Sequence, residues 1–546
     1  MKLKVLSFLI LILIVIFSSY LRLANLESNP NGLYVDEAST GYNAWSILLT
    51  GKDEYGKEFP IFFRFLGSYT PPLYTYLTAG VIQIFGFNIA SIRLTSALSG
   101  ILLILTFFLL MKSLDIYKSW LSPIFGTFLL AISPWSIFYS RIGYEINLAF
   151  FVYTIGVLFL WLSIKNSVWF IAGVSFLALS TYIYHAERLL APLTLIIFTI
   201  LFKNVILIKE NKKVLILALI LGLIILTPQL SVLSTAASFT RGSGLFYTEA
   251  ISRKADEMGF LLAFFQEFFS QYFAYLSPRN LFFQPDSDLQ RSLPELSTFY
   301  PWLAPFYLTG IYILVKLRAN AKKFILMLLL LTPIPASLTG DPFSTQRALP
   351  LLLPVTLSLA IGLDKFIAIK SRMFSGLVLI MCLFSLLYLY RSYAVLFPNE
   401  RAKDWGYGFK QLAKEIEKRP NEQFIIDSSR MKPAYIELVY FMKYPPDKFQ
   451  KEIDLDIKDN YYTNTVWDSS YKFNNIETRT INWEEDIYKE QILVGDELTI
   501  SENQAKEHFL EKLFEIKDPM YKIIFIAFKT NPTLKCNKQR NERCFI

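Results

Sequence analysis

The stretch Leu33-Tyr34-Val35-Asp36-Glu37-Ala38 comes soon after a long apolar run that ends near Leu23. It places two adjacent carboxyl groups where a hydrophobic segment gives way to water. Acidic residues opening a helix over Ala38 to Leu49 also suit an N-cap and the positive end of the helix dipole. The pair by itself therefore fits either a cap or an acid–base site, and the surrounding sequence has to decide.

Working outward, the run before it carries Lys2 and Lys4 and then an apolar segment too long for a signal-peptide core. No small-residue cleavage site follows cleanly, so it reads as a retained first transmembrane helix with its N-terminus inside. The 546 residues are 53% hydrophobic and 18% charged, against about 25% charged in soluble domains. Mean hydropathy is +0.38. These values describe a polytopic membrane protein that also carries soluble mass. The net charge of +9 follows from Lys and Arg gathering in cytoplasmic loops, and no nucleic-acid partner is expected. Of the three cysteines, Cys382 lies in an apolar run; Cys536 and Cys544 flank a polar tail and either pair there or stay free.

Spanning the bilayer takes about 20 apolar residues. Candidate spans fall near 5–23, 92–111, 121–139, 146–164, 167–184, 189–202, 214–232, 300–317, 324–340, 348–363 and 373–390, about eleven in all. The apolar segment Pro71 to Gly86 makes a helix of only about 24 Å, short of a core of about 30 Å. Leaving it out puts Lys- and Arg-rich loops inside and the acidic loop 24–91 outside, so it reads as a helix in the outer interface. A second outer loop, 233–299, holds an amphipathic helix. Leu261, Phe265, Phe268, Phe269, Tyr272 and Phe273 share one side; Gln266, Glu267, Ser270 and Gln271 share the other. From about Arg391 the chain turns polar, and helical stretches (Lys403 to Lys418, Pro433 to Lys443) alternate with β-rich runs (Phe424 to Ile426, Tyr521 to Phe528). The expected fold is an all-α polytopic membrane domain over 1–390 and a small extracytoplasmic α/β domain over 391–546.

Four polar clusters map to the outer face under this topology. They are Asp36-Glu37; Arg141 to Glu145; Tyr184-His185-Ala186-Glu187-Arg188; and the segment from Leu338 through Asp341 to Arg347. Each alone also suits an interfacial anchor. Together, carboxylates and cations at a membrane face fit sugar transfer from a lipid phosphate. A carboxylate takes the proton of the attacking group. The leaving phosphate needs no acid, but its charge must be held by Arg or His.

Tyr34-Val35-Asp36-Glu37, Gly51, Gly56, Pro60, Thr70-Pro71-Pro72-Leu73-Tyr74, Phe85-Gly86 and Arg93-Leu94 resemble the first outer loop of the GT-C glycosyltransferases. Within that superfamily the likeness is to the protein O-mannosyltransferase and aminoarabinose-transferase group, and it covers about residues 1–400. The resemblance implies a polyprenyl-phosphate-linked sugar donor, inversion at the anomeric carbon, and no nucleotide-sugar site. It implies Asp36 as general base, with Glu37 beside it in donor or acceptor binding and Glu145 as the second acidic position. Arg141, His185, Arg188 and Arg347 are the phosphate candidates by chemistry, and Tyr74 and Tyr184 join them as substrate-binding candidates. Core members of the family need no metal, and no cofactor is expected, although some GT-C oligosaccharyltransferases are metal-dependent. Thr70 stands where the aminoarabinose transferases often carry Lys, which speaks against a lipid A-type acceptor. The acceptor class, whether lipid, glycan or protein, stays open.

Two other readings compete. A flippase for lipid-linked sugars would concentrate buried charge near the bilayer midplane, yet here the charges collect at the outer edge. A simple anchor for the C-terminal domain would need neither eleven spans nor polar clusters in four loops.

Overall fold

The computed structural model describes residues 2–232, 234–237, 248–341, 343–367, 371–430, 434–465, 470–539 and 544. Leu233, Pro342, Lys370, Pro433 and the 238–247 part of the second outer loop lie outside them. The chain forms two compact units. The first comprises Met1–Leu26, Thr70–Leu77 and Arg93–Val395; the second comprises Glu27–Tyr69, Thr78–Ile92 and Leu396–Ile546.

The first unit is helical, and every segment expected to span is a helix or pair of helices. Among the described residues six helices are long and apolar enough to cross a membrane, and the bent pair Leu121–Ile132 and Pro134–Ser140 brings the count to seven. The chain is therefore a multi-pass membrane protein. Four of the expected eleven spans are shorter helices: Trp169–Ser180, Glu187–Leu201, Ala304–Lys316 and Asn320–Leu331, of 12 to 15 residues. The bend of 56° falls where Ser133 stops one helix and caps the next, with Pro134 at its first position and so no N–H to lose.

Close approach of Ala304–Lys316 and Leu352–Ile367 depends on two glycines. A Cβ built on Gly310 would lie 1.8 Å from the carbonyl oxygen of Ser358, and one on Gly362 would lie 1.9 Å from that of Phe306. The expected amphipathic helix is present as Phe260–Leu276. Ala263, Gln271 and Tyr275 are buried, while Leu261, Phe265, Phe269 and Phe273 point outward. A row of exposed aromatics is what a lipid-facing surface wants and what water does not.

The second unit contains a six-stranded mixed sheet. The strands are β3 (Phe424–Ile426), β4 (Tyr471–Phe473), β5 (Ile476–Thr478), β6 (Ile492–Gly495), β7 (Glu511–Lys517) and β8 (Ile523–Lys529), following the small hairpin β1 (Phe63–Phe65) and β2 (Ser68–Thr70). Their order is β4-β5-β3-β6-β8-β7, with β3 parallel to both β5 and β6. Central β3 and β6 are buried on both faces, as their unbroken apolar runs require. The helix Phe409–Glu417 buries Phe409, Leu412, Ala413 and Ile416, one stripe at helical spacing. Cys536 and Cys544 form a disulfide, which settles their pairing.

The loop carrying Asp36 belongs to this second unit. Helix Val35–Thr50 packs against Tyr435–Phe441: a Cβ on Gly41 would lie 3.1 Å from the Tyr440 ring, and Tyr42 donates to the Tyr444 carbonyl at 2.9 Å. Ahead of the helix, Gly32 (φ +128°) and Gly406 (φ +68°) let two backbones touch. A side chain on Gly32 would meet the Trp405 carbonyl at 2.3 Å, and one on Gly406 the Leu33 carbonyl at the same distance.

Candidate functional site

In the second unit, Asp36 and Glu37 occupy the second and third positions of helix Val35–Thr50. The two have different environments. Glu37 is fully buried, and its Oε2 accepts from the Tyr34 backbone N–H at 3.2 Å, closing the helix start on itself. Asp36 is only partly buried. Of the pair, Asp36 is the less buried, while Glu37 closes the start of the helix.

A buried polar platform lies under the same helix. Asn43 donates to Glu54 Oε1 at 2.9 Å and accepts from the Glu54 N–H at 2.9 Å; Tyr435 donates to Glu54 Oε2 at 3.2 Å. Asp53 accepts from the N–H groups of Tyr55 and Lys57 at 3.0 and 2.8 Å and from the Tyr461 hydroxyl at 2.5 Å. Burial pushes Asp53 up to about 6, and these donors restrain the rise. Tyr461 also accepts from the Arg64 N–H at 2.8 Å. The Asp-Glu loop is thus built into the C-terminal sheet unit by hydrogen bonds that no local pattern announces.

Sequence reading passed over one buried acid in the second unit. Glu437, in helix Tyr435–Phe441, is 4% exposed, and its Oε2 has no hydrogen-bond partner among the described residues. Burial, then the nearby Asp36 charge, holds it up at about 8, partly offset by its own backbone N–H. The segment Tyr435-Ile436-Glu437-Leu438-Val439-Tyr440 offered one signal: a lone acid in an otherwise apolar and aromatic run.

The first unit holds the other candidates. Tyr74, Tyr184 and Arg141 are buried, and Glu145, His185, Arg188 and Arg347 are partly buried. Glu145 opens helix Glu145–Ser163. Arg141 donates to the carbonyls of Leu21 and Ala24 at 2.8 and 2.7 Å and to the Tyr393 hydroxyl at 2.8 Å, so it fastens the end of the first helix. The rings of Tyr184 and His185 lie 6.5 Å apart. Backbone joins the Pro71-Pro72 turn to the Tyr184 region, since the Leu73 N–H donates to the Tyr182 carbonyl at 3.1 Å.

Arg347 sits in an ion-pair network with Asp341 of its own segment and with Asp286, Asp288 and Arg291, three residues that sequence reading missed. Its Nη1 lies 2.9 Å from Asp341, which also pairs with Arg291 at 3.1 Å. Arg291 bridges Asp286 and Asp288 at 3.4 and 3.2 Å. Asp286 in turn accepts from the N–H and hydroxyl of Thr345 at 2.8 and 2.9 Å. The network ties the second outer loop to the Leu338–Arg347 segment. Glu187 is also buried, with no hydrogen-bond partner for either carboxyl oxygen among the described residues. Among the described residues no group of three or more His, Cys, Asp or Glu gathers as a metal-ligand set.

No family model matches the chain, and no curated protein matches it by sequence. Solved structures do. ArnT from Cupriavidus metallidurans bound to undecaprenyl phosphate is similar over 94% of this chain and 97% of its own, with a TM-score of 0.57 and 12% identity. The Archaeoglobus fulgidus oligosaccharyltransferase tethered with an acceptor peptide is similar over 96% of this chain and 74% of its own, at TM-score 0.51 and 14% identity. The archaeal oligosaccharyltransferase AglB from the same organism, in complex with an inhibitory peptide and a dolichol-phosphate, covers 80% of this chain and 64% of its own, at TM-score 0.50 and 14% identity. A likeness that covers nearly the whole of this chain and of the ArnT structure gives this chain the fold of the GT-C glycosyltransferases.

Proposed function

We propose that the chain is an inverting glycosyltransferase that moves a sugar from a polyprenyl-phosphate carrier to a hydroxyl or amine at the outer membrane–water interface. The observation that carries the reading is the shared fold over nearly the whole length of a structure bound to undecaprenyl phosphate, combined with a partly exposed Asp36 at the start of its helix. In this reading Asp36 takes the proton from the acceptor as its O or N attacks the anomeric carbon. The bond from that carbon to the phosphate oxygen breaks, and the electron pair leaves with the polyprenyl phosphate. Arg141, His185, Arg188 and Arg347 are the candidates for holding that charge. To do so, Arg141 would have to give up backbone carbonyls and Arg347 its pairing with Asp341. Glu145, Tyr184 and Tyr74 are proposed in substrate binding. The reaction takes no metal or other cofactor in this reading.

The disulfide in the C-terminal tail supports an extracytoplasmic second unit, because such bridges persist in oxidising compartments. The test is release of free polyprenyl phosphate from a radiolabelled polyprenyl-phosphate hexose in proteoliposomes, with crude envelope extract as acceptor. Asp36→Asn should lower turnover roughly 10²- to 10⁴-fold. Near-normal release by the variant removes Asp36 as base. No release by wild type, with labelled lipid crossing the bilayer instead, would restore the flippase reading.

A further inference from the structure

The first unit contains a cavity of about 580 Å³ between four helices: Lys2–Leu23, Leu121–Ile132, Leu352–Ile367 and Arg372–Leu389. Its lining is apolar apart from Ser375 and Cys382. Ile14, Ile124, Leu363 and Cys382 are buried and form its floor, whereas the lining residues Leu13, Leu379 and Leu383 are more than half exposed. The cavity is therefore a groove that opens sideways, toward the hydrocarbon around a multi-pass protein. Its volume lies within the range of small-molecule sites, about 300–1,000 Å³. It is too apolar to hold ordered water and too large to be left empty.

One end of this groove is basic. The end of Leu352–Ile367 meets the start of Leu121–Ile132 there. Buried Asp364 accepts from the Lys118 and Ser119 N–H groups, both at 3.0 Å, and from the Ser122 hydroxyl at 2.6 Å. The start of Arg372–Leu389 arrives at the same place, with the Phe366 and Phe374 rings stacked at 5.3 Å. At the opposite end Arg22 donates to the Ala131 carbonyl at 3.1 Å and the Ser136 hydroxyl at 2.8 Å. Helix Lys2–Leu23 thus runs beside Leu121–Ile132 in the same direction. Three of the four helices begin at the basic end, and the positive poles of their dipoles lie there. Three exposed cations stand beside lining residues: Lys118 three positions before Leu121, Lys365 between Leu363 and Ile367, and Arg372 two before Phe374. Of the acids in these segments Asp115 is exposed, and Asp364 is held by the bonds just given. Trp120, exposed immediately before Leu121, is the kind of aromatic that marks the headgroup level.

We propose that the groove holds an acyl chain of an anionic phospholipid from the bilayer, with the lipid phosphate at the basic end. The excess of Lys and Arg assigns that end to the cytoplasm, where the leaflet supplies anionic lipid. The groove selects a chain and the rim selects a negative headgroup; a zwitterionic lipid fits the groove but brings its own cation to the rim. The site is separate from the donor-phosphate candidates, since Arg141 fastens the opposite end of the first helix through the Leu21 and Ala24 carbonyls. It goes beyond the glycosyltransferase reading and does not depend on it.

The test is native mass spectrometry of the full chain released from nanodiscs of phosphatidylglycerol and phosphatidylcholine at equal mole fraction, with no sugar donor present. One phosphatidylglycerol per chain should be retained in preference to phosphatidylcholine. One cation near the surface contributes about fivefold, so Lys365→Gln or Arg372→Gln should cut the preference about fivefold, and the double variant about 25-fold. Both side chains are exposed, so these variants leave the fold alone. Lys209→Gln, an exposed cation in another loop, should leave the preference unchanged. Val378→Trp puts an indole into the groove and should abolish retention. No retained lipid, equal retention of the two lipids, or a preference unmoved by the double variant overturns the proposal. So does an equal loss in Lys209→Gln, which would mean a general surface attraction, or retention that survives Val378→Trp in folded protein. Displacement of phosphatidylglycerol by polyprenyl phosphate at the same mole fraction would hand the groove to the donor and overturn it too.

Discussion

Tyr461→Phe removes a single oxygen that joins the first outer loop to the C-terminal sheet unit. That hydroxyl donates to buried Asp53 at 2.5 Å and accepts from the Arg64 N–H at 2.8 Å. A hydrogen bond to a charged group contributes about 1.5–3 kcal/mol, and an orphaned buried N–H costs about 1–3 kcal/mol. The variant should therefore lose about 3–5 kcal/mol. For a unit of roughly 200 residues, at about 2–4 °C per kcal/mol, the melting temperature should drop by about 10 °C. The pH dependence is more diagnostic. Asp53 is raised from 3.8 to about 6, so the folded state binds an extra proton between those values. Stability contributed by that proton is present at low pH and lost as pH rises through the window. Without the Tyr461 donor the Asp53 carboxyl rises further and the loss extends to higher pH. The penalty of Tyr461→Phe should thus be larger near pH 7.5 than near pH 5, where Asp53 is mostly neutral and gives up only an uncharged hydrogen bond. Scanning fluorimetry of the detergent-solubilised protein at both pH values reads this directly. An equal penalty at the two pH values, or a drop below about 2 °C near neutrality, refutes the reasoning.

Other outcomes follow from contacts already described. Gly310→Ala drives a methyl into the Ser358 carbonyl at 1.8 Å, and backbone cannot step aside cheaply; the protein should lose about 1–3 kcal/mol or more in a melt. Gly376→Ala is the control, since nothing lies within 4 Å of its Cβ, and helix propensity should make it neutral or stabilising by up to about 1 kcal/mol. Cys536→Ser opens a loop with a sequence separation of 8. It should lower resistance to unfolding of the tail by about 2–3 kcal/mol and leave Cys544 labelled by a membrane-impermeant maleimide, which wild type resists without reductant.

Local pattern made much of this protein readable. The apolar runs recur at helical length, so the helices of the first unit were legible one by one. The Phe260–Leu276 helix showed its two faces in spacing alone, and the outward apolar side chains Leu261, Phe265, Phe269 and Phe273 match that division. Helix Phe409–Glu417 and strands β3 and β8 likewise stood out by periodicity and β-branched runs. Lengths were less legible: a proline at Pro134 and short helices such as Trp169–Ser180 make the number of spans depend on how bent and truncated segments are counted. Asp36-Glu37 could be singled out as a pair. Its division into a partly buried acid and a fully buried cap could not, because that depends on how the helix start is covered.

The sequence by itself determined a multi-pass membrane protein, a polar C-terminal α/β region and an Asp-Glu pair at a helix start, because hydropathy, period and capping are properties of neighbouring residues. Only the tertiary structure decided that residues 27–69 fold with the segment after Leu396, that Asp286 and Arg291 meet Asp341 and Arg347, and that Glu437 is buried with no hydrogen-bond partner for its Oε2 among the described residues. Those pairings join residues tens to hundreds of positions apart. A buried carboxyl acquires its chemistry from the charges and the lack of water around it, which come from chain folding and not from its sequence neighbours.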